Sequence, residues 1–136
     1  MRVLAIDHGT VRMGIAMSDE LKMIAQPLEF IPAAPYSGFL DRLRELLREY
    51  EVELILLGMP RNMDGSYGEA SAKVRDFEAV LKNSITVPIK TWDERLTSVQ
   101  ANRALLQGGA RKKKKRQNVD AMSAAILLQS YLDGLA

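Results

Sequence analysis

Carboxylates occupy three places in the sequence where a fold could bring them together. Asp7 directly follows the apolar run 3–6 and is the only acid among the first 18 residues. Asp93 and Glu94 end a later strand-like run, and Asp120 opens an apolar helical pattern. Crowded carboxylates repel one another, and a hard divalent cation relieves that repulsion. We therefore predict a Mg²⁺ or Mn²⁺ site, and two such ions can cleave a phosphodiester by activating water and stabilising the leaving oxygen.

Each acid also has a purely structural interpretation. Asp7 can begin an Asx turn that ends at Gly9. Asp120 can support the N-terminus of a helix that Asn118 caps, and Asp93 can act as a cap as well. Three acids in these positions, beside a strongly basic segment, favour the catalytic interpretation. A structural interpretation needs a separate reason for each acid.

The basic segment holds six of the 19 lysines and arginines of the chain, and without it the charge balance is 13 minus 17, or −4. A mildly acidic protein with one concentrated cationic stretch suggests a polyanionic partner such as nucleic acid. The segment follows two glycines, so we expect a mobile loop at the rim of the active site that binds phosphates without entering the chemistry. The alternative is a solvated surface loop. Its residues are Arg111, Lys112, Lys113, Lys114, Lys115 and Arg116.

Three further residues are candidates for phosphate contact. Arg61 and Asn62 lie in the loop after a buried strand, and Arg95 follows the acidic pair. His8 is the single histidine and has no partner at ligand spacing. Strand alternation would point it away from Asp7, so we expect no catalytic role for it.

The periodicity of apolar residues predicts an α/β domain in the order β-β-β-α-β-α-β-α-α. The first three strands are expected to form an antiparallel meander, and helical crossovers join the later ones. The apolar run 54–57 is typical of a parallel strand covered on both faces. The expected strands lie at 3–6, 13–17, 27–31, 54–57 and 87–92, and the last helix at about 119–133.

Helix starts are predicted from capping residues. Ser37 is available as the N-cap of the first helix. Ser66 with Glu69, and Thr97 with Gln100, fit the S-x-x-E/Q capping box of two more. The second helix should bury a stripe formed by Ala70, Val74, Phe77 and Leu81.

Length and composition set the class of protein. The 136 residues correspond to a single domain, with 47% hydrophobic and 26% charged residues and no cysteine. The longest uncharged stretch, 121–132, is shorter than the roughly 18 to 20 residues that cross a bilayer. The start of the chain has no secretory pattern. We expect a cytoplasmic protein without membrane contact.

Four blocks of the sequence together resemble the YqgF family of pre-16S rRNA nucleases, which are also described as Holliday-junction-resolvase-like. They span nearly the whole chain in the family's order, and the basic stretch before the last block is also familial. The blocks are DHGTVRMGIAMSD at 7–19, GMPRNMDGS at 58–66, DERLT at 93–97, and VDA at 119–121, which leads through Ala124 and Ala125 to Leu127.

The resemblance implies a ribonuclease H-like fold with a mixed five-stranded sheet over residues 1–136. It also implies metal-dependent cleavage of structured nucleic acid, with Asp7, the pair Asp93 and Glu94, and Asp120 as the acids. Within the pair we favour Glu94. The implied role is 5′-end maturation of pre-16S rRNA, with precursor rRNA or ribosomal assembly intermediates as partners. One departure is that the strand ending at Gly58 lacks the carboxylate that known junction resolvases place there, so the second acid comes from the next strand.

Three alternatives compete with an rRNA nuclease. One is a Holliday-junction resolvase that acts on branched DNA, and another is a non-catalytic nucleic-acid-binding module in ribosome assembly or transcription. The third is an actin-like ATPase, because Asp7-x-Gly9-Thr10 followed by Gly14 also resembles the first phosphate loop of that class. That architecture needs two such domains to enclose a nucleotide, and the chain is long enough for one.

Overall fold

The computed structural model describes residues 1–60, 68–94 and 112–135, and for 112–120 it describes the backbone alone. Each of the five strands covers its predicted position within about two residues. A helix predicted to begin near Thr97 and Gln100 lies outside the described residues. The strands are β1 (Arg2–Asp7), β2 (Arg12–Ser18), β3 (Ala25–Pro32), β4 (Val52–Met59) and β5 (Ile89–Asp93), and the helices are α1 (Tyr36–Tyr50), α2 (Glu69–Ser84) and α3 (Lys112–Leu135).

One mixed sheet joins all five strands in the order β3-β2-β1-β4-β5. The pairs β1–β2 and β2–β3 are antiparallel, whereas β1–β4 and β4–β5 are parallel. The predicted meander and mixed five-stranded sheet are therefore confirmed. Pro27 is tolerated in β3 because this strand lies at the edge, where a missing N–H breaks no ladder.

The two faces of the sheet pack against different helices, and strand alternation assigns each residue to a face. Leu4 and Ile6 face α1 and α2, where Phe77 lies fully buried. Val3 and Ala5 face α3. Continuing the alternation places Asp7 on the α3 face and the following histidine on the opposite one.

The C-terminal helix begins at Lys112, seven residues before the predicted start. Lys112–Arg116 therefore form the first helical turns, and the prediction of a loop is wrong for them. Lysine and arginine have high helix propensity, and the sequence has neither glycine nor proline between Gly109 and Gly134. The backbone consequently continues the apolar helix backwards through the cations.

The predicted helix caps are also corrected. Pro35 is the N-cap of α1, so Ser37 lies inside that helix. Helix α2 begins at Glu69 after Gly68, without a side-chain cap, so the capping box predicted there is wrong. Ala70 is exposed, and Ser71 takes the buried position because its hydroxyl donates a hydrogen bond to the Pro60 carbonyl.

No helix in the described part of the chain is long and apolar enough to span a membrane.

Candidate active site

Asp7 is the last residue of β1, and it pairs with Gly14 of the neighbouring antiparallel strand. Its carboxylate is partly buried at the edge of the sheet where the parallel strands β1, β4 and β5 end. Open α/β sheets bind their ligands at this edge. The predicted position of Asp7 at the end of the first strand is confirmed.

Glu94 follows β5 directly, and its side chain reaches back over β4 toward β1. A Cβ built on Gly58 would lie 2.8 Å from Glu94 Oε1 and 3.4 Å from its Cγ. Any side chain at this position of β4 would therefore occupy the space of the Glu94 carboxylate. Strands lie about 4.8 Å apart, so β5 is two spacings from β1. The glycine in β4 leaves room for the Glu94 carboxylate, and the glutamate side chain is long enough to reach across β4 toward Asp7.

A hydrogen bond joins the carboxyl groups of Glu94 and Asp7. Two carboxyl groups this close repel each other when both are ionised. Burial raises the pKa of Glu94, the negative charge of Asp93 raises it further, and the hydrogen bond from Asp7 acts in the opposite direction. The two carboxyl groups thus lie side by side where Glu94 is partly shielded from solvent.

Asp93 ends β5 and pairs with Met59 across the parallel ladder. Met59 belongs to the core under α1 and α2, and Trp92 packs on the α3 side. Alternation therefore assigns Asp93 to the face opposite Asp7, and Glu94 to the same face as Asp7. Between the two neighbouring acids, Glu94 is the one that the strand brings to Asp7.

Asp120 lies eight positions inside α3, so it cannot be a helix cap, and the structural interpretation offered for it is wrong. Its side chain is outside what the structure describes. Gln129 shows in which direction α3 runs. Its Oε1 accepts a hydrogen bond from the Ala25 N–H, at the end of the sheet away from Asp7. Asp120 precedes Gln129 by about 13 Å of helix, in the direction away from the start of β1.

Most of the predicted phosphate contacts fall where the structure gives no side chains. Arg61, Asn62, Arg95 and Arg111 lie outside the described residues. Residues 112–116 are described as helical backbone only.

The carboxylate cavity is an open space of about 370 Å³ beside the carboxyl pair. Its wall combines the two acids with the first turns of α2 and the end of β4. A second space of about 320 Å³, the side cavity, adjoins it and shares His8, Thr10 and Lys73. The carboxylate cavity is lined by Asp7, His8, Thr10, Pro60, Glu69, Ala70, Lys73, Val74 and Glu94.

Three residues of this region were not selected from the sequence. His8 faces away from Asp7, as alternation predicts, yet it lines both cavities and its ring packs on Phe77. Burial lowers the pKa of His8, and the charge of Lys73 lowers it further, so the imidazole is neutral at pH 7. In the sequence, nothing distinguishes Lys73 from other surface lysines. Gly58 carried a readable signal, because glycine at the end of an apolar strand often marks a close approach.

The donor chemistry fits a hard divalent cation. Asp7 and Glu94 offer carboxylate oxygens, which Mg²⁺ and Mn²⁺ prefer. Among the residues whose side chains the structure describes, no third acid or histidine completes a metal-binding group. The third predicted donor, Asp120, is not among these side chains.

Solved structures of similar fold come from junction resolvases. The chain superimposes on Thermus thermophilus RuvC in complex with a Holliday junction substrate with a TM-score of 0.55 at 17% identity, covering 98% of this chain and 96% of RuvC. For the fowlpox virus resolvase in complex with Holliday junction DNA the TM-score is 0.53 at 12% identity, with 99% of each chain covered. At these identities the likeness shows the fold, and it confirms the ribonuclease H-like class.

Relatives in sequence are much closer. A Halothermothrix orenii protein is 43% identical over 133 residues, which are 98% of this chain and 95% of that protein. A Clostridium acetobutylicum protein is 44% identical over 135 residues, or 99% of this chain and 100% of the relative. Both carry the provisional name of pre-16S rRNA nuclease. The model of the RuvX family, described as Holliday junction resolvase, matches residues 1–134, and this chain therefore belongs to the RuvX family.

Proposed function

We propose that this protein is a metal-dependent nuclease that cleaves phosphodiester bonds in structured nucleic acid, and that it matures the 5′ end of pre-16S rRNA in the cytoplasm. One observation carries the proposal: Glu94 crosses β4 above Gly58 to meet Asp7 at the carboxyl edge of the sheet. A fold selected for stability alone would have no reason to hold two carboxyl groups together at an open cavity.

Asp7, Glu94 and Asp120 would hold Mg²⁺ or Mn²⁺, with Asp93 adding negative charge from the other face. When bound, the metal would supply an activated water and stabilise the leaving oxygen of the phosphodiester. The helix that carries Asp120 packs on the same face of the sheet as Asp7, which supports its place in this set.

The protein's own residues prepare the site in two ways. Gly58 leaves open the space through which Glu94 reaches Asp7. The partly buried carboxyl of Glu94 is held beside Asp7, so the two groups would bind one cation together. The helical cations of α3, Arg61, Asn62 and Arg95 would contact phosphates on either side of the cleaved bond.

Precursor rRNA, within ribosomal assembly intermediates, is the proposed substrate because the relatives at 43% and 44% identity are named for it. Branched DNA is the second candidate, favoured by the description of the matching family. The two differ in the 2′-hydroxyl and in shape, which proteins read separately from the phosphate backbone.

The experiment compares cleavage of a pre-16S rRNA fragment and of a four-way DNA junction, with Mg²⁺, with Mn²⁺ and with EDTA. We expect the RNA to be cut at its 5′ end with either metal, and not with EDTA. Asp41→Asn is a matched control because this acid is exposed on α1 and pairs only with Arg44 among the described residues. Cutting of the junction alone would assign the resolvase function, and cutting of neither substrate would contradict a nuclease.

A further inference from the structure

The side cavity next to the carboxyl pair has aromatic walls. The Tyr36 ring is 42% exposed at the start of α1, and the half-buried His8 ring lies across the cavity from β1. Both rings rest on the fully buried Phe77, with ring centroids 5.8 Å and 5.2 Å apart. Phe77 in turn packs edge-on against the buried Phe39. The Tyr36 and His8 rings are therefore held by the core before any ligand arrives.

Lys73 lies at the junction of the side cavity and the carboxylate cavity, and it lines both. It is exposed on α2, one turn before Phe77. Among the described residues, no carboxylate lies within ion-pair distance of its ammonium group, although Asp76 and Glu69 are also in the cavity walls. Its positive charge is therefore available to a phosphate that passes between the cavities.

We propose that the side cavity is a subsite for one unpaired nucleobase of the substrate, next to the phosphodiester at the carboxyl pair. The base stacks on Tyr36 against the wall formed by His8, and Lys73 binds the phosphate that connects this nucleotide to the cleaved bond. This inference rests on the proposed function and adds to it a requirement for an unstacked nucleotide at the cut.

The chemistry of the walls selects a nucleotide over an apolar peptide. Aromatic faces accept any base, and a lysine at the entrance matches the charge of the backbone. The two cavities share His8, Thr10 and Lys73, so the phosphate of a nucleotide in the side cavity would lie next to the carboxylate cavity. A base that is stacked in a regular helix could not enter, so single-stranded ends or junctions would be preferred.

The test uses a hexauridylate that carries one 2-aminopurine, whose fluorescence falls when the base stacks on an aromatic ring. Binding is measured by titration with EDTA and again with Ca²⁺, for the wild type and for Tyr36→Ala, Tyr36→Phe and Lys73→Gln. Phe30→Ala and Lys82→Gln are matched controls, because Phe30 is 37% exposed on the edge strand β3 and Lys82 lies at the far end of α2.

We expect Tyr36→Ala to weaken binding by about 5- to 100-fold and to remove the quenching, as is typical of lost base stacking. Tyr36→Phe should bind and quench like the wild type. Lys73→Gln should keep the quenching and reduce the log-log salt slope of binding by about 0.7, the value for one phosphate on a single strand.

Equal affinity and quenching in the wild type and Tyr36→Ala would overturn the inference, as would equal losses in Tyr36→Ala and Phe30→Ala. Failure of the wild type to bind the probe under both conditions would overturn it too. If binding behaves as expected but pre-16S rRNA and junction DNA both remain uncut, the subsite stands and the proposed nuclease function fails.

Discussion

The polar groups at the two ends of β1 have opposite kinds of neighbours. At the start of the strand, polar groups pair with complementary partners: the buried Ser18 hydroxyl accepts the Val3 N–H at 2.9 Å, and the Gln129 amide bonds to Ala25 and to the carbonyl of Met23. At the end of the strand, two groups of the same charge type face each other beside an open cavity. The first end contributes stability, whereas the second holds the carboxyl pair of the proposed active site.

The same contrast separates the two acids of the pair at β5. Asp93 and Glu94 are neighbours in sequence, yet alternation sends them to opposite faces. Glu94 is the longer of the two, and its carboxylate lies against Gly58 of β4. Position on the sheet, more than acid content, thus decides which carboxylate takes part in the site.

The largest expected effect is that of Asp7→Asn at the chemical end of β1. Cleavage should fall by on the order of 10³-fold or more, as for groups that act together in catalysis. The free energy of unfolding should stay the same or rise by up to about 1 kcal/mol, because a crowded carboxyl is removed. A nuclease assay and a urea titration on the same preparation check both. A protein that still cuts, or one that unfolds early, would contradict the role of Asp7.

Asp120→Asn should also abolish cleavage while changing the free energy of unfolding by no more than about 0.5 kcal/mol. The reason is that Asp120 lies inside α3, away from the first turn where the helix dipole favours an acid. Asparagine has nearly the same helix propensity. Full activity of this variant would remove Asp120 from the site.

Gly58→Ala should lower kcat by about 100-fold, the scale of a misplacement of about 1 Å at an active site. The added Cβ would lie 2.8 Å from Glu94 Oε1 and 3.0 Å from the Leu127 side chain. In a Leu127→Ala background the second contact is absent, and Gly58→Ala should still lower kcat because Glu94 is still displaced.

The control for this pair is Gly38→Ala, where the new Cβ meets only Pro35 Cγ at 3.9 Å. It should leave kcat unchanged. Loss of the Gly58→Ala penalty in the Leu127→Ala background would mean that the glycine acts through Leu127 and α3 packing.

At the opposite end of β1, Ser18→Ala should lower the free energy of unfolding by about 1 to 3 kcal/mol, because the buried Val3 N–H loses its acceptor. Cleavage by the folded protein should not change. Thermal melts together with initial rates well below the melting temperature provide the measurement. Loss of activity in a stable variant would show that the two ends are not independent.

The smallest effect is expected from replacing Lys112 to Lys115 with glutamine. Successive residues of a helix point about 100° apart, so four in a row cannot all reach one strand of nucleic acid. The salt slope of binding should fall by about 1.4, the value for two phosphates on a single strand, with kcat unchanged. Binding over a salt series is the measurement, and parallel slopes would make these lysines a solvated surface.

The sequence predicted the strands, and that His8 faces away from Asp7, because periods of 2 and 3.6 are visible in apolar residues. It did not predict the start of α3, because a cationic run has no apolar period and lysine suits both a loop and a helix. The meeting of Glu94 with Asp7 depends on a contact across β4, which no local pattern contains. The side cavity was missed for the same reason, since Tyr36, His8 and Lys73 come from three separate elements.

The central claim is that Asp7 and Glu94 form one divalent-cation site, and calorimetric titration with Mn²⁺ tests it most directly. We expect the wild type and Asp41→Asn to bind Mn²⁺ with the same affinity. Asp7→Asn and Glu94→Gln should each lose this binding while remaining folded. Wild-type affinity for Mn²⁺ in either of the two variants would contradict the claim.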